Sequence, residues 1–261
     1  MDFGLAGKTA LVFGAGGGLG GAIARALAAE HARVVVADIQ VDAAARVAES
    51  IRASGGEATA LRWDLADIDG IAARLAEAEQ ASGSIDVLVN NTGGPPPGTA
   101  AGQDPAAWRA FFDSMVLSVM AVTDHVLPGM RARKWGRVIT STSSGVVAPI
   151  PNLGISNALR LALVGWSKTL AREVGRDGIT CNIVLPGRIA TGRITSLDEQ
   201  KAAREGRTVE AVADESAASI ALGRYGEPSE YGDAVAFLAS KRASYITGSV
   251  IRIDGGYIPS I

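Results

Sequence analysis

The chain has 261 residues, 48% hydrophobic and 20% charged, with a formal net charge of −2. It is long enough to bury a full core, and that charge gives no electrostatic case for binding nucleic acid or an anionic membrane. Its one cysteine, Cys181, excludes an intrachain disulfide.

The expected location is cytoplasmic. A chain without disulfides suits a reducing compartment. The opening MDFGLAGKTA has no basic start followed by an apolar core, so no signal peptide is expected. No apolar run is read as reaching the roughly 18 residues that span a bilayer. Cys181 lies in the apolar run ITCNIVLPG and reads as a buried, inert thiol.

Strand, turn and helix alternate along the chain. TALVFGA (9–15) is an apolar strand ending in glycines, followed by an alanine-rich helical pattern over 18–30. RVVVADI (33–39) is the second strand, 41–53 a helix, ATALRWDL (58–65) the third strand and 67–82 a helix. IDVLVNN (85–91) is the fourth strand, and a long helix covers about 105–131. GRVITSTSS (136–144) is the fifth strand, 155–175 a helix and ITCNIVLPG (179–187) the sixth strand. PSEYGDAVAFLAS (228–240) is helical and SVIRIDGG (249–256) is the last strand. Apolar β-branched strands alternating with helices predict an α/β fold, a doubly wound parallel sheet of Rossmann type in one domain. The tract GGPPPG (93–98) is too short for a linker and reads as a rigid loop over the site.

The turn GAGGGLG (14–20) joins the first strand to the first helix. Glycines there permit positive φ, admit a pyrophosphate to the backbone and open a helix whose N-terminus attracts that anion. The position after a strand and before a helix makes the pattern specific for a dinucleotide. Asp38 ends the second strand, 18 residues after Gly20. A carboxylate there accepts hydrogen bonds from the adenosine ribose and repels a 2′-phosphate. No basic residue lies inside the loop or directly after Asp38, so the expected cofactor is NAD. His31 reads as a left-handed helix exit and His125 as structural.

Over nearly its whole length the chain resembles the short-chain dehydrogenase/reductase family. GAGGGLG fits the family's GxxxGxG loop through Gly14, Gly18 and Gly20, with Leu19 between them. WDLAD fits its third-strand acidic motif, which implies Asp64 and Leu65 beside the adenine, as Asp38 and Ile39 are beside the ribose. NNTG (90–93) fits NNAG and implies Asn90 in a cofactor-facing turn. LPGRIAT (185–191) fits PGxxxT and implies contacts from Ile189 and Thr191 to the nicotinamide amide. The resemblance also implies a substrate lid at about 188–224 and a homodimer or homotetramer.

The family's catalytic set is Asn, Ser, Tyr and Lys. Counting back from LVGWSKTLA (163–171) puts Arg160 at the Lys position, Ser156 at the Tyr position and Ser143 at the Ser position. Counting back from VLPGM (126–130) puts Met115 at the Asn position. The resemblance therefore implies a catalytic group of Ser143, Ser156 and Arg160. A serine hydroxyl is shorter than a phenol and a far weaker acid, and loss of a matched acid–base group costs about 10²–10⁴ in rate. Arg160 is a permanent cation that can hold ribose hydroxyls or clamp a substrate carboxylate. Tyr225, beside the lid segment, is a candidate for a relocated acid. Three readings follow: an NAD-dependent oxidoreductase of a small-molecule alcohol or ketone with an atypical proton donor, a catalytically silent NAD-binding protein or partner subunit, and a non-redox lyase or isomerase.

Overall fold

The computed structural model describes residues 2–261. Seven parallel strands form one sheet in the order β3-β2-β1-β4-β5-β6-β7. They are β1 (Thr9–Phe13), β2 (Arg33–Asp38), β3 (Glu57–Arg62), β4 (Val87–Asn91), β5 (Gly136–Ser141), β6 (Ile179–Pro186) and β7 (Val250–Ile253). Alternate strand residues feed opposite cores, so both faces are covered. Ala10, Val12, Val34 and Val36 join one core under α1 (Gly18–Ala29), α2 (Val41–Ala53) and α9 (Pro228–Ala239). Leu11, Phe13, Val35 and Ala37 join the other, under α3 (Ile71–Ser82), α5 (Ser118–Arg133) and α6 (Gly154–Val174).

Strand order reverses where β1 leaves β2 on one side and β4 on the other. Ligands of open α/β sheets bind beyond the strand ends at such a switch point. The loops after β1, β4, β5 and β6 therefore converge on one place.

Some boundaries differ from the sequence expectation. β3 stops at Arg62, and α3 starts at Ile71 rather than at 67. The residues between are spent on side-chain turns: Asp64 Oδ1 accepts from the Ala66 N–H and Asp67 Oδ1 from the Gly70 N–H. The segment after β6 holds two helices, α7 (Gly192–Glu205) and α8 (Val209–Ala218). His31 does sit at a left-handed helix exit, with φ 65°.

The expectation that no segment has the length and apolarity of a membrane span needs correction. α4 (Pro105–Phe112), a π-helical turn over Asp113–Leu117, and α5 run as one 29-residue helix whose hydropathy reaches 1.4. Scattered polar residues such as Asp113, Asp124 and His125 break the apolar run in the sequence. In three dimensions its apolar side chains Val122, Val126, Leu127 and Met130 are buried against the sheet.

Candidate functional site

The glycine turn is built as its sequence demands. Gly14 and Gly18 have φ of +56° and +52°, where a side chain would be strained. A Cβ on Gly20 would lie 2.1 Å from the Gly14 carbonyl oxygen, so α1 packs on the turn only because residue 20 has none. No side chain caps the N-terminus of α1. Its first N–H groups have no intrahelical partner and are free for an anion. Asp38 braces the turn: Oδ2 accepts from the Gly16 N–H at 2.9 Å and Oδ1 from the Gln40 N–H at 2.9 Å. The residues present therefore fit a dinucleotide, with a pyrophosphate at the helix end and a carboxylate at the end of β2.

A cavity of about 790 Å³ opens from this turn over the ends of β4, β5 and β6. Gly18, Leu19, Ile189 and Thr191 line it, and so do Ser143, Ser156 and Arg160. Four of the expected cofactor residues and the three expected catalytic residues thus line one space. Ser143 follows β5 and its Oγ accepts from the Gly145 N–H at 3.1 Å. Ser156 Oγ accepts from Arg160 Nε at 3.3 Å, one helical turn along α6. Each hydroxyl is thereby oriented as an acceptor and keeps its own proton for a ligand.

Arg160 is 9% exposed and has no carboxylate within salt-bridge distance among the described residues. Its Nη2 donates to the carbonyls of Thr92 at 3.2 Å and Gly93 at 2.8 Å. Burial lowers its pKa to about 10; the buried Tyr231 phenol opposes that shift, and the neighbouring Arg193 guanidinium adds to it. The group stays charged at neutral pH. The tract GGPPPG is held over the site as expected. Gly98 exchanges backbone bonds with Asn152 and Gly154, and Arg193 Nη2 donates to the Pro95 carbonyl at 3.1 Å.

Other expected residues lie elsewhere. Ile39 is exposed at the end of β2, and Leu65 packs against the core beside α3. Asp64 caps its own turn. Asn90 does not line the cavity: its Nδ2 donates to Thr123 and Thr140 hydroxyls in the interior. The next residue, Asn91, lines the cavity and ties β4 to the glycine turn through the Phe13 carbonyl. Strand alternation decides which of the pair faces in. Met115 is buried between α5 and α6 within the π-helical turn. Tyr225 does not line the cavity. Its hydroxyl donates to Asp198 Oδ2 at 2.7 Å, and burial followed by that hydrogen bond raises its pKa. Cys181 is fully buried, and burial pushes its thiol up to about 12. His125 Nδ1 bonds the Ala121 carbonyl on its own helix.

Sequence reasoning missed several cavity residues. Thr92 and Thr142 are buried, and their hydroxyls have no hydrogen-bond partner among the described residues. Tyr257 is the one tyrosine among the lining residues. It is placed by Asp254, whose carboxylate accepts from the Gly256 and Ile258 N–H groups in a turn after β7. No local sequence signal marks these residues, because the sheet order brings them together.

A family profile described as Enoyl-(Acyl carrier protein) reductase matches residues 14–258. The chain is 35% identical over 253 residues to the oxidoreductase UcpA of Salmonella typhimurium, covering 97% of this chain and 95% of that protein. It is 33% identical over 255 residues to the 3-oxoacyl-[acyl-carrier-protein] reductase FabG of Vibrio harveyi, covering 97% and 98%. Among solved structures, it superposes on L-sorbose reductase from Gluconobacter frateurii, complexed with NADPH and L-sorbose. There the TM-score is 0.94, with 31% identity over 100% of both chains. It also superposes on YwfH, an NADPH-dependent reductase of bacilysin biosynthesis, with TM-score 0.92 and 30% identity over 97% and 99%. With the seven-stranded parallel sheet, these matches establish that the chain belongs to the short-chain dehydrogenase/reductase family of oxidoreductases.

Proposed function

We propose that the protein is an NAD(H)-dependent oxidoreductase acting on a small alcohol or ketone with a non-standard proton donor. One observation carries the reading: a single cavity joins the open end of α1 to Ser143, Ser156 and Arg160. In this reading the N-terminus of α1, with Gly14, Gly18, Leu19 and Gly20, holds the pyrophosphate. Asp38 and Ile39 meet the adenosine ribose, Asp64 and Leu65 the adenine, and Ile189 and Thr191 the nicotinamide end. Asn90 supports this seat from the interior. The nicotinamide, when bound, supplies or accepts hydride. Asp38 favours NADH, because a 2′-phosphate would be brought against its carboxylate. The related L-sorbose reductase solved with NADPH and the NADPH-dependent reductase YwfH make that preference the point to test.

Ser156 and Arg160 stand where the family places its tyrosine and lysine, and Ser143 stands at its serine. The two serine hydroxyls donate to the substrate oxygen, and Arg160 fixes Ser156 and the loop 92–93. Tyr257, the one phenol lining the cavity, is the candidate proton donor. Helices α7 and α8 form the substrate lid. Association as a dimer or tetramer through exposed Phe112, Leu117 and Leu161 completes the reading.

Titration with NADH and NADPH, followed by turnover on a panel of carbonyl substrates, tests it. NADH should bind at least tenfold more tightly than NADPH, and some carbonyl should be reduced. Tyr257→Phe should lower kcat about 10²–10⁴-fold with NADH affinity unchanged. NADH binding with no turnover on any substrate would favour the silent cofactor-binding protein instead.

A further inference from the structure

The cavity has an unbalanced charge. Five cationic side chains line it, Arg160, Arg188, Arg193, Lys201 and Arg204, against one carboxylate, Glu205. Most local partners are already spent. Arg188 pairs with Asp198 at 2.6 Å, Lys201 with Glu215 at 3.4 Å, and Glu205 with Arg207 at 3.2 Å. Arg160, Arg193 and Arg204 are left without a carboxylate among the described residues.

Arg160 makes this imbalance costly. A buried cation without a counter-ion carries a desolvation penalty that carbonyl contacts offset only in part. Arg193 adds repulsion, since the two guanidiniums are close enough for one to depress the other's pKa. Both are fastened to one loop, Arg160 to Thr92 and Gly93 and Arg193 to Pro95. Two like charges from different helices are thus held on one loop at the cavity wall. Thr92 and Thr142, two buried residues whose hydroxyls have no hydrogen-bond partner among the described residues, line the same cavity.

We infer that the substrate carries an oxyanion group, a carboxylate or a phosphate, seated between Arg160 and Arg193. Arg204, in the last turn of α7, closes over it from the lid. The inference rests on the oxidoreductase reading, and it deepens that reading by naming a substrate class. It separates the anion seat from the cofactor's pyrophosphate, which takes the N-terminus of α1.

Calorimetric titration at fixed ionic strength tests this with three probes: malonate, inorganic phosphate and the uncharged dimethyl malonate. Each is added to the free protein and to protein saturated with NADH. At least one anion should bind saturably in both states, and dimethyl malonate at least tenfold more weakly. The preferred anion distinguishes carboxylate from phosphate. Arg193→Gln should weaken the anion at least tenfold while NADH affinity stays within threefold. Arg193 is exposed near the start of α7, so the variant should fold; Arg204→Gln is the second variant and should weaken the anion less. Equal binding of charged and uncharged probes overturns the inference, as does an anion site indifferent to Arg193→Gln. Loss of NADH affinity in Arg193→Gln as large as the loss of anion affinity also overturns it, by putting Arg193 on the cofactor phosphates. If NADH fails to bind while the anion still binds the free protein through Arg193, the oxidoreductase reading falls and the anion seat stands.

Discussion

At the scale of single residues, the buried Arg160 guanidinium sets the charge of the site. Burial lowers the Arg160 pKa to about 10, which leaves the guanidinium charged throughout the neutral range. The groups acting on it are Tyr231 from α9, whose phenol burial raises, and Arg193 from α7, itself a permanent cation. Both histidines lie outside the cavity. The sign follows directly: the anion-binding form is the protonated form, and it persists below the lowered pKa. Malonate affinity should therefore be flat between about pH 7 and 9, where malonate itself stays fully ionised. A step in affinity within that window would place a titrating group at the seat and contradict the assignment to arginines.

Among the helices, α7 is the least apolar, and a buried polar cluster anchors it. Asp198 is 3% exposed; it pairs with Arg188 at 2.6 Å and accepts from Tyr225 at 2.7 Å. This knot ties α7 to the segments on either side of it. Breaking a buried pair costs about 3–5 kcal/mol; the partial exposure of Arg188 reduces that to about 2–3 kcal/mol for Asp198→Asn. Local opening of residues 188–225 should then rise by about a hundredfold. Limited proteolysis within that segment would register this, with the transition of the remaining sheet little changed. Equal protease resistance in wild type and variant would show that α7 is held by something other than Asp198. The same element marks where sequence reading thins out. The β1 to β2 unit was legible, because VVVA in β2 is apolar on both faces and the glycines stand at the one turn that needs them. α7 carries so much charge that no apolar stripe announces it, and the knot joins residues 10 and 27 apart in sequence. Asn90 and Asn91 look alike in a motif; only the strand's pleat tells which one faces the cavity.

At the scale of the whole molecule, the fold places its ligand where the two halves of the sheet part. β1 pairs with both β2 and β4, so the glycine turn is anchored on the central strand of the order β3-β2-β1-β4-β5-β6-β7. The serines, Arg160 and Tyr257 reach the same cavity from β5, α6 and the turn after β7, and none of these approaches is visible from local spacing. A ligand in that cavity therefore bridges elements from both halves, and its binding energy adds to the stability of the whole fold. A ligand that binds only the native state at 100 times its Kd adds about 2.7 kcal/mol. For a domain of this size, each kcal/mol raises Tm by roughly 2–4 °C. Saturating NADH should therefore raise Tm by roughly 5–11 °C, and NADPH at the same concentration should raise it less, because Asp38 opposes the added phosphate. Asp38→Ala should narrow the gap between the two cofactors. A larger shift with NADPH in the wild type would reverse the assigned preference while leaving the dinucleotide seat at α1 intact.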